Sequence, residues 1–309
     1  MAKEVYDVAI IGGGPAGMTA GIYAGRGHLR ACILEGMSTG GQMFNTAVIE
    51  NYPGYDSIDG PGLTQAMEEQ VRKWDVDILY KHVTGLKRQT DVFEVELLGG
   101  EAVQAKTVIL ASGSKPRKLE VPGEAEYQGR GVSYCATCDG AFFRGKNVAV
   151  IGGGDSAVEE SLYLTRFVNK VTIIHRRDQL RASKHLQERA FADPKIEFMW
   201  DSVVEAIEGQ QTVEQLQVKN VKTGTVTSLP VDGVFIYIGM FPNTGFLQGV
   251  VELDQWGYVV AGEDTATSEP GIFAAGDIRA KELRQIVTAV ADGAVAAMAA
   301  ERYLSERGL

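Results

Sequence analysis

Cys135-Ala136-Thr137-Cys138 holds two thiols in a Cys-x-x-Cys pair, a spacing that two chemistries use. A structural zinc ion would need two further ligands, normally a second cysteine pair or two histidines. No second pair exists, and His28, His82, His175 and His185 are scattered without ligand spacing, so no metal is expected. A redox dithiol fits better, because close spacing favours a small disulfide ring and can depress one thiol's pKa. Such a pair must take up and release protons. No histidine adjoins it, which makes Asp139 the nearest candidate general acid. With Gly140 next in the chain, Asp139 suits a helix N-cap or an Asp-Gly turn equally well. The third cysteine, Cys32, lies in an apolar run and reads as a small buried hydrophobe.

A second chemistry lies in a repeat. Residues 8–17 read Val-Ala-Ile-Ile-Gly-Gly-Gly-Pro-Ala-Gly, and residues 148–157 read Val-Ala-Val-Ile-Gly-Gly-Gly-Asp-Ser-Ala. Each copy is a β-branched apolar run, then Gly-x-Gly-x-x-Gly/Ala, then a helical pattern. The key positions are Gly12, Gly14 and Gly17 in the first copy and Gly152, Gly154 and Ala157 in the second. The first glycine permits a tight turn, the second lets backbone approach a pyrophosphate, and the third position must be small for helix to pack on strand. The helix N-terminus then offers free N–H groups to phosphate.

The next strand distinguishes the two sites. In the first copy Ala31-Cys32-Ile33-Leu34 leads to Glu35, placed to receive adenosine ribose hydroxyls. In the second, Val171-Thr172-Ile173-Ile174 leads to His175-Arg176-Arg177, with Arg181 following. Guanidinium groups there would hold a 2′-phosphate that a carboxylate would repel, so this site should prefer NADP(H). A two-electron hydride donor and a dithiol need a relay between them. A flavin performs that task, and the Glu35 site is free for FAD.

These groups require elements to carry them. The two motifs imply an α/β fold of two Rossmann-like dinucleotide-binding domains. The expected division is residues 1–113 for FAD, 114–244 for NADP(H) and the cysteine pair, and 245–309 returning to the FAD domain, so that the NADP(H) domain is an insertion. Ser114-Lys115-Pro116-Arg117 and Phe241-Pro242-Asn243-Thr244 read as the two crossovers. Phe273-Ala274-Ala275-Gly276-Asp277 reads as a strand ending in a Gly-Asp turn, which either faces the flavin's ribityl or phosphate end or is a plain turn.

Composition bounds the remainder. The 309 residues include 37 glycines, about 12% against a typical ~7%, as many tight turns or close ligand approaches would require. A formal charge of −10 argues against nucleic acid and anionic membranes as partners. No apolar run reaches the roughly 18–20 residues of a membrane helix, since Asp292, Glu301 and Arg302 interrupt the most apolar tail. The N-terminal residues lack the apolar stretch of a signal peptide, so a cytoplasmic protein is expected.

Over nearly its whole length the sequence resembles the low-molecular-weight, bacterial-type thioredoxin reductases, class II pyridine nucleotide-disulfide oxidoreductases. The resemblance rests on Gly12-Gly13-Gly14-Pro15-Ala16-Gly17, Gly40-Gly41-Gln42, Glu50-Asn51-Tyr52-Pro53-Gly54, Cys135-Ala136-Thr137-Cys138-Asp139-Gly140, Gly152-Gly153-Gly154-Asp155-Ser156-Ala157, His175-Arg176-Arg177, and Gly276-Asp277 with Arg284-Gln285. It implies FAD contacts from the first glycine motif, Glu35, Gly36, Gly41, Gln42, Asn51, Gly113, Gly276, Asp277, Arg284, Gln285 and Ile286. It implies NADPH contacts from Gly152, Gly154, Asp155, Ser156, Ala157, His175, Arg176, Arg177 and Arg181. It makes Cys138 the sulfur facing the flavin, Cys135 the one attacking thioredoxin, and Asp139 the acid. It further implies a homodimer, and rotation of the inserted domain about the crossovers between flavin-reducing and flavin-oxidising states. Ala111-Ser112-Gly113 stands where the family often has Ala-Thr-Gly, and Ala280-Lys281-Glu282-Leu283 falls in a segment that varies among relatives. The alkyl hydroperoxide system's reductase carries an extra N-terminal region. Ferredoxin–NADP reductases of this fold lack the cysteine pair.

Overall fold

The computed structural model describes residues 5–46 and 49–309; the side chains of Thr137 and Cys138 also lie outside the described residues. The chain divides into two units, residues 1–115 with 241–309, and residues 116–240.

The first unit opens with β1 (Val5–Ile11), α1 (Pro15–Arg26) and β2 (Ala31–Glu35), followed by α2 (Gly60–Arg72), β3 (Asp77–Tyr80), β4 (Val83–Arg88), β5 (Phe93–Leu97) and β6 (Ala102–Leu110). Strands β3, β2, β1 and β6 lie side by side and parallel, and β5 and β4 extend the sheet in antiparallel sense. Because side chains alternate across a strand, a sheet buried on both faces needs apolar residues at every position. In β1, Val8 and Ile10 enter one core and Ala9 and Ile11 the other, all 0–3% exposed.

Strand β7 (Ser114–Pro116) leads to the inserted unit. There β8 (Val132–Ser133), α3 (Ala136–Asp139), β9 (Asn147–Gly152), α4 (Asp155–Leu164), β10 (Lys170–Ile174), α5 (Lys184–Ala192) and β11 (Ile196–Met199) precede a meander of β12 (Ser202–Gly209), β13 (Val213–Asn220) and β14 (Val226–Pro230). Strand β15 (Gly233–Tyr237) completes a parallel sheet ordered β11-β10-β9-β15-β8. Val148 and Val150 of β9 pack on one face and Ala149 and Ile151 on the other. The orders β3-β2-β1-β6 and β11-β10-β9-β15 are the same half-Rossmann arrangement, so the sequence repeat is also a structural one.

Strand β16 (Met240–Pro242), which pairs with β7, returns the chain to the first unit, where β17 (Ile272–Ala274) adds beside β6 and α6 (Ile286–Arg307) packs on α1. That helix contact depends on Gly293, where a Cβ would overlap the Ala16 carbonyl. Among the described residues no helix is long and apolar enough to cross a membrane.

Candidate active site

In the first unit, β1 ends in a turn whose glycines have separate causes. Gly12 has φ +112°, and a Cβ there would overlap the Ala111 carbonyl at the end of β6. A Cβ on Gly17 would overlap the Gly12 carbonyl. Gly14, the N-cap of α1, has no protein atom within 4 Å of its Cβ position, and no side chain caps the helix. Pro15 follows at the first helical position and Ala16 is buried. The protein's own packing therefore explains Gly12 and Gly17 but leaves Gly14 open, with unspent N–H groups around it.

Glu35, at the end of β2, accepts from the Gly13 N–H at 2.8 Å and the Met37 N–H at 3.1 Å. His82 packs over Gly36 beside it, 2.8 Å from that residue's Cβ position. The Gly40 N–H donates to the Gly13 carbonyl at 2.8 Å and so folds the next loop over the turn, with the Gly41 Cβ position 3.6 Å from Gly14 Cα. Gln42 donates to the Ser114 carbonyl at 3.3 Å, and the Asn51 amide donates to Gln285 Oε1 at 3.0 Å. Gly113 has φ +64°, and its carbonyl accepts from the Asn243 N–H at 2.9 Å.

The C-terminal segment meets the same turn. Gly276 has φ +78°, and its Cβ position lies 2.9 Å from Ala16 Cβ. The Gly276 N–H donates to Asp292 at 2.9 Å. Asp292 also binds Lys281 at 2.8 Å and Arg279 at 3.3 Å. The three charges are nearly buried, so this clamp fixes the Gly-Asp turn on α6. Asp277 keeps a buried Oδ1 with no partner; burial raises its pKa, while Lys281 and Arg284 act in the opposite sense. The Arg284 guanidinium stacks 4.0 Å over the Tyr258 ring and leaves its buried Nε without a partner. Gln285 caps α6 in a reciprocal box with Thr288, and half-buried Ile286 opens the helix. Asp292, Lys281 and Arg279 are absent from the residues expected from sequence. Asp292 could have been found as the one acid in the apolar first half of α6.

In the inserted unit the glycine logic repeats. Gly152 has φ +151°, and its Cβ would overlap the Tyr237 carbonyl, whereas Gly154 has nothing within 4 Å. Ala157 is buried, while Asp155 and Ser156 open α4 at the surface. The His175 ring fills the space where a Gly153 Cβ would stand. The Gly153 carbonyl accepts from the Arg181 N–H at 2.6 Å and the Ala182 N–H at 3.1 Å, and Asp155 accepts from the Ser183 N–H at 2.6 Å. These bonds tie the arginine loop to the glycine turn. Arg176, Arg177 and Arg181 are exposed, and none is in an ion pair with a described residue. Burial lowers the His175 pKa first, and the three guanidinium groups push it the same way.

Cys135 is disulfide-bonded, whereas Cys32 is free and buried in β2, its pKa pushed up to about 12 by burial. The side chain expected at Cys138 lies outside the described residues. The Cys135 N–H donates to Ser133 Oγ at 3.0 Å, and the Ala136 N–H donates to the Tyr237 hydroxyl at 2.7 Å. Tyr237 thus touches both the disulfide helix α3 and the glycine turn. Its residue partner is 101 positions away, and no local motif marked it. Asp139 sits at the N-cap position of the 3-10 turn at 140–143 without a capping bond, so its carboxyl is not spent there. Among the described residues no cluster of metal-ligating side chains occurs.

The sequence profile of the pyridine nucleotide-disulphide oxidoreductases matches residues 6–293. The chain belongs to this family. It is 47% identical to thioredoxin reductase of Listeria innocua over 305 residues, covering 98% of this chain and 95% of that one. The crystal structure of Lactococcus lactis thioredoxin reductase in its FR conformation is 50% identical and superposes with a TM-score of 0.95, over 97% of this chain and 99% of that one. Thioredoxin reductase from Streptococcus pyogenes is 52% identical with a TM-score of 0.68, over 99% and 100%. As a member of the bacterial-type thioredoxin reductase branch, this oxidoreductase is a flavoenzyme working with FAD and NADPH. Its residues fit those groups. Gly14 and Gly154 are the open glycines of their turns, Asp277 has an orphaned buried oxygen, and three arginines stand unpaired.

Proposed function

We propose that this flavin disulfide reductase uses NADPH to reduce the disulfide of thioredoxin through Cys135 and Cys138. The observation that carries the reading is the disulfide-bonded Cys135, whose helix shares Tyr237 with the Gly152–Gly154 turn, so that dithiol and nucleotide turn belong to one unit. Bound FAD supplies a carrier that takes hydride from NADPH and returns an electron pair to sulfur.

The chain's own groups do the rest. Gly14 and the α1 N-terminus receive the FAD pyrophosphate, and Glu35 orients the adenosine ribose. Asp277, Arg284, Gln285 and Ile286 border the flavin's remainder, with Asn51 held on Gln285. Gly154 and the α4 N-terminus bind the NADPH pyrophosphate, and Arg176, Arg177 and Arg181 clasp the 2′-phosphate while His175 supports the turn. Cys135 attacks the substrate disulfide, Cys138 resolves the mixed disulfide, and Asp139 holds or delivers a proton to the leaving thiolate.

Because the nucleotide turn and Cys135 belong to one unit and both would have to serve bound FAD, that unit would rotate about its two crossings. Gly113 (φ +64°) and Gly239 (φ +120°), each with open space at its Cβ position, border the β7 and β16 crossings and suit a hinge. A cytoplasmic homodimer is expected. Tyr23, Val295 and Met298, each 41–47% exposed, offer an apolar face to a second copy.

The test is NADPH oxidation by the yellow holoenzyme with a panel of thioredoxins, glutaredoxins and small disulfides. Catalytic turnover with thioredoxin is expected. A single round of bleaching without turnover would overturn the reading.

A further inference from the structure

Behind the disulfide helix lies a polar cluster that the reaction as described does not use. Helix α3 packs on α4, where Gly140 leaves so little room that a Cβ would stand 3.1 Å from Leu164 and 3.7 Å from Tyr163 and Phe167. On that helix Glu160 carries a buried Oε2 without a hydrogen-bond partner. Opposite, at the end of β15, the Tyr237 hydroxyl accepts from the Ala136 N–H at 2.7 Å. Tyr237 lies within electrostatic reach of two carboxyl groups, Glu160 and Asp139. A phenol oxygen has two lone pairs and one proton. Ala136 takes one lone pair; among the described residues the hydroxyl makes no hydrogen bond with Glu160 or Asp139, which leaves its second lone pair and its proton available to them.

We propose that Glu160 is a proton reserve for the Cys135 disulfide, joined to Asp139 through the Tyr237 hydroxyl. The inference rests on the reading of Cys135 and Cys138 as the redox pair. The overall step is NADPH + H⁺ + disulfide → NADP⁺ + dithiol. The electron pair breaks the S–S bond and leaves two thiolates, which take two protons. The hydride carries one of these, and the second is drawn from the medium. Glu160 holds that second proton locally. When Asp139 gives its proton to sulfur, Tyr237 passes its own to Asp139 and receives that of Glu160, which reloads from water.

Burial raises the Glu160 pKa to about 7, with neighbouring Glu159 adding to the shift, so the carboxyl is loaded near neutrality and empties above it. The titratable groups facing it are Glu159 and Tyr163 on its own helix and Tyr237 on β15. Asp139 joins from α3 through Tyr237. Glu160 and Tyr237 act through Asp139 and are positioning residues.

The test mixes NADPH with FAD-loaded enzyme in a stopped-flow cell and follows, from about pH 5.5 to about pH 9, the rate at which the internal disulfide reoxidises the flavin. Wild type should slow as pH rises through about 7. Glu160→Gln should be slow at every pH, with a rate near that of wild type at about pH 9, and should lack the inflection. Tyr237→Phe should do the same, and the double variant should be no slower than either single one. Alkylation of Cys135 in chemically reduced protein gives a second, flavin-independent profile that should lose the same inflection. Should Glu160→Gln fail to fold, Tyr237→Phe carries the test. An unchanged inflection in the folded variants, a uniform slowing that retains it, or additive losses would overturn the reserve. Thioredoxin turnover that survives Cys135→Ser would instead overturn the redox assignment, and the reserve with it.

Discussion

Arg176, Arg177 and Arg181 show what a binding site costs a free protein: three exposed cations converge with no anion among the described residues to hold them. Each charge-assisted bond to a 2′-phosphate is worth about 1.5–3 kcal/mol. Arg176→Ala with Arg177→Ala should therefore shift NADPH-over-NADH selectivity by about a hundredfold or more, at ~1.4 kcal/mol per decade, in kcat/KM for the two cofactors. The same cations depress His175. Its unfolded form takes up a proton near pH 6.5, while the folded form resists until lower pH. The stability it confers is complete above about pH 6.5 and is lost as pH falls through the lowered value. Thermal melts should show less acid-side loss for His175→Gln than for wild type. Cys135→Ser should leave bleaching of the yellow colour by NADPH intact and abolish thioredoxin turnover, whereas Cys138→Ser should trap thioredoxin on Cys135 as a mixed disulfide, seen on non-reducing gels. The glycines, Glu35 and the arginines were legible in the chain because their spacing is itself the chemistry. Tyr237 and the Asp292 clamp were not, because each works through a partner that only folding brings near.

At the scale of elements, the two turns give a sharp contrast between packing and binding. A Cβ at Gly17 would overlap the Gly12 carbonyl, while one at Gly14 meets open space. Gly14→Ala should melt within about 0.5 kcal/mol of wild type, as surface changes do, yet lose FAD on dialysis. Gly17→Ala should lose stability outright, and circular dichroism with flavin absorbance separates the two. The strand–turn–helix units were readable because residues 8–11 of β1 and 148–151 of β9 are apolar at every position, the mark of a strand buried on both faces. The β12–β14 meander was not read in advance. Its residues alternate, with one face on the core beside Val204, Leu216 and Val218 and the other in water, and nothing in that pattern fixes which sheet it covers. Asp139 illustrates a choice the sequence left open: the carboxyl does not cap the turn that follows it.

At the scale of the whole molecule, the two units are built from separate stretches of chain. The two clusters of the inserted unit draw only on residues between Leu119 and Ile238. Residues 116–240 expressed alone should therefore fold cooperatively and bind NADP⁺ by calorimetry without FAD. The first unit has no such independence. Its sheet takes β17 from beyond the insertion, and α1 is covered by α6. On a ribosome adding about 5–20 residues per second, residues up to 115 wait roughly 10–40 s for β17 and α6 to be made. During that interval the insertion can finish folding. The N-terminal strands meanwhile expose the β6 edge and the α1 face that β17 and α6 will cover. That nascent chain presents the apolar surface that chaperones bind, so folding yield in cells should depend on chaperone supply far more for the first unit than for the second.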